Sequence, residues 1–148
     1  MRGFTAVEIL LVTSLLGILA LAVVFLLPPV AAVTLEAAAH QVRSDIEFAQ
    51  QNAMITGQTS GVQFVSAGSY TVYQGTTATP LMSPLTGQSM VMTLSASYVG
   101  TAISGNYTVE FDSMGKPSTG GGGSVNLSNG GVTRTIAVTA NTGRVTIQ

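Results

Sequence analysis

Glu8 is the side chain whose chemistry most needs a partner. It stands at the head of an apolar run, and from Ile9 to Leu35 there is no Asp, Glu, Lys, Arg or His. An acidic residue in a membrane helix costs roughly 2.5–3.5 kcal/mol at the helix centre and less towards an end. Such a carboxylate points to charge pairing. The remaining candidates are weaker. Glu110 and Asp112 fall at i and i+2 on one strand face, with no third acid or histidine nearby in sequence. Asp112 suits a structural role, capping a turn through Ser113–Lys116. His40 has no converging ligands and reads as a solvated helix residue. Serines are plentiful, but no base is placed to activate one. Gly120–Gly123 is followed by no Gly-Lys-Ser/Thr, so a phosphate loop is rejected and a flexible hairpin loop is expected. No catalytic residue, cofactor or metal site is expected, and the chain does not read as an enzyme.

The elements that must position these residues follow from composition and periodicity. Of 148 residues only 7% are charged, hydrophobic content is 46%, and the formal net charge is −1. Thr, Ser, Gly and Asn replace the missing charge, which suits short strands and polar turns. No basic run gives the footprint of a nucleic-acid binder. There is no Cys, which excludes disulfides, thiol catalysis and Cys-based metal sites.

The run from Ile9 to Leu27 is interrupted only by Thr13, Ser14 and Gly17. As a helix it spans roughly 28 Å, close to a bilayer's hydrocarbon core. Thr13 and Ser14 can bond back to the helix backbone. Arg2 favours a cytoplasmic N-terminus. A cleaved signal peptide, with Ala31-Ala32-Val33 as its site, is disfavoured because Glu8 would lie in its apolar core and the run is long. A plain signal anchor is the other simple reading. Pro28-Pro29 ends the run.

Residues 34–56 read as an amphipathic helix. Leu35, Ala39, Val42, Ile46, Ala49 and Ala53 form one stripe, and Glu36, His40, Arg43 and Glu47 occupy the other side. Gly57 is the expected C-cap. The period then becomes two. Strands are predicted at Gly61–Ser66, Ser69–Gln74, Ser89–Ser95, Tyr107–Asp112, Ser124–Ser128, Thr133–Thr139 and Arg144–Gln148. Asn129-Gly130-Gly131 and Asn141-Thr142-Gly143 mark tight turns. Residues 75–88 read as a loop. The pattern predicts an α+β chain: antiparallel sheets in two packed faces, with the long helix laid against one.

Gly3-Phe4-Thr5-Ala6-Val7-Glu8-Ile9-Leu10-Leu11 resembles the processing junction of type IV pilins and type II secretion pseudopilins, Gly-Phe-Thr-Leu-Ile-Glu-Leu. Ala6 and Val7 depart from that pattern. Phe48–Gly57, Val109–Pro117 with the glycine-rich loop after it, and Arg134–Val138 with Thr142–Ile147 resemble the GspH/FimT (FimU) type of minor pilin. The resemblance covers both ends of the chain, and residues 75–105 are generic. It implies a pilin fold: a long N-terminal helix on an antiparallel β-sandwich-like head. The implied domains are a prepilin leader 1–3, a transmembrane helix half 4–33, an amphipathic half 34–57 and a head 58–148.

The resemblance further implies cleavage between Gly3 and Phe4 by a prepilin peptidase and N-methylation of Phe4. Glu8 of one subunit would then meet the new Phe4 amine of its neighbour, fixing register as two membrane charges neutralise each other. The implied protein is a structural minor pseudopilin or minor pilin of a secretion pseudopilus or pilus tip. Its partners would be other pilin-type subunits, the peptidase and inner-membrane lipid. It would cross the inner membrane once, with its head in the periplasm, before joining the filament. The alternative is a competence-type minor pilin binding DNA through the C-terminal hairpin. With Arg134 and Arg144 isolated, weak or no DNA binding is expected. A third reading is a membrane-anchored receptor head without a filament.

Overall fold

The structure is a computed structural model describing residues 5–26, 30–66 and 68–148. Helix α1 runs Ala6–Leu26 and α2 runs Val30–Thr56. In α1, Thr13 Oγ1 donates to Ile9 O at 3.0 Å and Ser14 Oγ to Leu11 O at 2.9 Å, the back-bonding expected of them. Pro28-Pro29 lies outside the described residues. Among those residues no helix is long and apolar enough to cross a membrane. The span expected for 4–33 therefore rests on the sequence.

In α2 the stripe Leu35, Ala39, Val42, Ile46, Ala49 and Ala53 is wholly buried, as its spacing requires. Ala38 and Asp45 share the buried face. Gly57 ends the helix, its N–H donating to Ala53 O at 3.0 Å.

The rest of the chain is β1 (Ser60–Val65), β2 (Ser69–Gln74), β3 (Val91–Thr93), a one-turn α3 (Leu94–Ser97), β4 (Ala102–Ser104), β5 (Tyr107–Phe111), β6 (Pro117–Thr119), β7 (Ser124–Asn129), β8 (Val132–Val138) and β9 (Val145–Ile147). They form two antiparallel sheets, ordered β3-β2-β1-β5-β6 and β4-β7-β8-β9. The chain is thus α+β, with a helix packed on antiparallel sheets. The period-two runs bury alternate residues: Val62 and Phe64, Tyr70 and Val72, Val109 and Phe111, Val125 and Leu127, Ile136 and Val138. Gly130 and Gly131, at φ 57° and 83°, make the two-residue turn between β7 and β8.

Four expectations need correction. The helix does not lie on one sheet: α2 contacts β1, β2 and β5 of the first and β7, β8 and β9 of the second. The predicted strand Ser89–Ser95 is only β3, because the chain turns into α3 at Leu94, whose side chain is buried in the core. β4 and β6 were not predicted; three residues are too few to display a period. Gly120–Gly123 is no hairpin loop, because it carries the chain from β6 in one sheet to β7 in the other. It is also held in place: Gly122 N–H donates to Val138 O at 2.8 Å and Tyr107 Oη–H to Gly120 O at 2.7 Å.

Candidate functional site

Thr5 precedes the first turn of α1, and Glu8 is the third residue of that turn. Glu8 N–H donates to Thr5 Oγ1 at 3.3 Å and to Thr5 O at 3.1 Å. Thr-x-x-Glu is a capping-box spacing, in which the hydroxyl caps an otherwise orphaned amide. The sequence displays this signal openly, yet Glu8's charge draws attention away from it. A negative charge in this turn also meets the positive end of the helix dipole. Glu8 is exposed, and among the described residues no ion pair involves it. Gly3 and Phe4 lie outside the described residues.

The surface around Glu8 is equally unpartnered. Val7, Ile9, Leu10, Leu11, Val12 and Leu15 are each half or more exposed. Among the described residues α1 makes no substantial packing with α2 or the sheets. These apolar side chains find no cover among the described residues.

In the head the two arginines part company. Arg134, on β8, donates from Nε to Glu36 Oε2 at 2.8 Å, joining α2 to the second sheet. That hydrogen bond holds the Glu36 carboxyl below its ordinary range. His40, exposed on the same helix, lies 3.4 Å from Glu36 Oε1. Arg144 is exposed just before β9. Thr135 pairs with Gln148 and Thr139 with Arg144, so the arginines sit about 16 Å apart along the hairpin at ~3.3 Å per residue.

The acids of β5 have structural partners. Glu110 accepts from Tyr73 Oη–H at 2.8 Å and Thr119 Oγ1–H at 2.9 Å. Asp112 Oδ1 accepts from the N–H groups of Met114 and Lys116, both at 2.9 Å, which is the turn cap expected of it. Among the described residues no group of three His, Asp or Glu is placed to hold a metal.

Two side chains had escaped the sequence reading. Gln50 donates from Nε2 to Gly115 O at 2.6 Å and to Thr142 O at 3.1 Å, tying α2 to two turns at once. Nothing local in the sequence signals this. Asp45 is buried on α2, where Tyr70 Oη–H donates to it at 2.6 Å. Its position on the apolar stripe, one residue before Ile46, was the available signal.

The family described as type II transport protein GspH matches residues 38–143. In shape the chain is similar to the type IV minor pilin FimU of Pseudomonas aeruginosa strain PAO1, solved in two crystal forms. One gives a TM-score of 0.55 at 11% identity, covering 77% of this chain and 92% of that one. The other gives 0.54 at 11% identity, covering 77% and 87%. At that identity the likeness establishes the fold. Comparison with curated proteins gives no match.

Proposed function

The chain belongs to the GspH family of type II transport proteins, and from that premise we propose that it is a non-catalytic minor pseudopilin or minor pilin, built into a secretion pseudopilus or pilus tip through its N-terminal helix. A prepilin peptidase cuts between Gly3 and Phe4 and the new Phe4 amine is methylated. α1 is held first by inner-membrane lipid, with the head in the periplasm, and then by the helices of other pilin-type subunits. Glu8 of one subunit pairs with the Phe4 amine of a neighbour.

The observation that carries this reading is the state of α1. It presents an exposed carboxylate in its first turn and exposed apolar side chains from Val7 to Leu21, and among the described residues its own head covers neither. Such a helix is complete only in an assembly or a membrane. Arg134 is occupied by Glu36 and distant from Arg144, which favours assembly over capture of DNA.

Mass spectrometry of the protein recovered from membranes and from sheared surface material tests the proposal. The expected N-terminus is N-methylated Phe4, in both fractions. An intact Met1, or a cut near Ala31–Val33, would remove the processing step and the Glu8 pairing with it.

A further inference from the structure

Between α2 and the segment leading into β3 lies an open groove of about 540 Å³. Gln41, Ser44, Asp45 and Phe48 line it from one face of the helix. The opposite wall folds back on itself, with Ser83 N–H donating to Gln88 O at 2.8 Å and Met90 N–H to Leu81 O at 2.7 Å. Leu85 stands at its tip, 94% exposed. β3, which also lines the groove, is the outermost strand of its sheet and, among the described residues, leaves one backbone edge without a neighbouring strand.

Asp45 is 5% exposed and lines this groove. Its Oδ2 accepts from Tyr70 Oη–H at 2.6 Å and its Oδ1 from Gln41 Nε2–H at 3.0 Å. Among the described residues it has no cation; the ion pairs there use Glu36 and Glu47. A carboxylate withdrawn from water and met only by neutral donors is poorly compensated. Helix packing alone would be served by an apolar residue at this position.

We infer that the groove receives an extended, lysine-bearing segment of a partner protein, with the ammonium reaching Asp45 and the flanking side chains resting on Phe48 and Leu85. The missing counter-charge calls for a cation. Lysine fits better than arginine because Tyr70 already holds Oδ2. The bidentate fork that favours a guanidinium would need both oxygens, whereas a compact ammonium can take Oδ1 by displacing Gln41. The open edge of β3 selects an extended segment, since backbone pairing along such an edge accepts any sequence while the pocket beside it reads one side chain.

The test uses the full chain in detergent micelles and two fluorescein-labelled peptides, acetyl-Thr-Val-Lys-Val-Thr-amide and the same peptide with norleucine for lysine, read by anisotropy. The lysine peptide should bind about tenfold tighter. Asp45→Asn, which keeps an acceptor for Tyr70, should reduce that preference to about twofold or less. Ser44→Trp, at an exposed helix position, should fill the groove and weaken both peptides about tenfold. Equal binding of the two peptides to the wild type, binding of neither, or indifference to Ser44→Trp would each overturn the inference. If Asp45→Asn fails to fold, the wild-type comparison and Ser44→Trp still decide it. Neither depends on processing or filament assembly.

Discussion

Tyr73 donates its hydroxyl to Glu110 at 2.8 Å across the bare backbone of Gly61. β1 lies between the strands that carry them, and Gly61 pairs with Tyr73 on one side and Glu110 on the other. A Cβ on Gly61 would sit 2.5 Å from Val109 O and 3.1 Å from Tyr73 Oη. The glycine is the space through which the bond passes. Burial, with Glu110 alongside, pushes the Tyr73 hydroxyl above its ordinary range.

Gly61→Val should cost about 1–3 kcal/mol through overpacking. Tyr73→Phe should cost about 1 kcal/mol, because Glu110 keeps Thr119. Urea unfolding of the double variant should show less than the sum, since both changes break one bond. Strict additivity would show that Gly61 and Tyr73 act separately.

Gln50→Ala should cost about 1–2 kcal/mol by releasing Gly115 O and Thr142 O together. Hydrogen exchange at the Gly115 and Gly143 amides should accelerate in both turns. A response in only one would mean that Gln50 does not couple them. Gly143→Ala should be worse than Gln50→Ala, since it places a side chain at φ 67° and its Cβ 2.6 Å from Gln50 Nε2.

Glu36 and Asp45 should shift stability in opposite directions with pH. Arg134 holds Glu36 below its ordinary 4.5, so the fold favours the charged form. That stabilisation is present above 4.5 and is lost as pH falls through the lowered value. Burial raises Asp45 above its ordinary 3.8, against the hydrogen bonds from Tyr70 and Gln41. Its contribution is full below 3.8 and is lost as pH rises through the raised value. Glu36→Gln should therefore destabilise at about pH 7 and destabilise less at about pH 3. Asp45→Asn should stabilise at about pH 7 and change little at about pH 3. Thermal melts at the two pH values check both signs.

Glu8→Gln removes the charge and leaves the cap intact, because Thr5 Oγ1 accepts from the backbone N–H of residue 8. Glutamine serves in a capping box as glutamate does, but it carries no charge. If intersubunit charge pairing drives assembly, the variant inserts and is processed yet enters the sheared filament fraction at about a tenth of the wild-type level or less. Wild-type incorporation of the variant as sole copy would show that the Glu8 charge does not drive assembly.

Duplex DNA should not be shifted by the full chain in a gel at moderate salt. Arg144 alone is too small a footprint, and Arg134 is committed to Glu36. Tight, salt-sensitive binding abolished by Arg144→Ala would reverse that conclusion.

How much of this was legible depended on the length of each pattern. The α2 stripe repeats over five turns, so most of its buried face could be named, with Ala38 and Asp45 the exceptions. β2 and β5 alternate long enough to be placed within a residue. β4 and β6 are three residues each, too short to show a local period, and β4 pairs with β7, beyond two intervening strands. The same limit governs side chains. Asp112's turn lies within four residues of it and could be read, whereas Gln50 acts on Gly115 and Thr142, 65 and 92 residues away. Helix contact with both sheets was missed because a stripe reveals that a face is buried without revealing what covers it.

Because α2 rests on both sheets, it also governs how the head bears mechanical load. A pull along the helix shears two interfaces in parallel. Glu36–Arg134 and Gln50 pin the helix at points about 21 Å apart at ~1.5 Å per residue. Arg134 pins it to one sheet; Gln50 pins it to turns leaving both. Axial traction must break both tethers and slide the small alanines between them before either sheet peels. The head thereby resists extraction of the helix along its own axis.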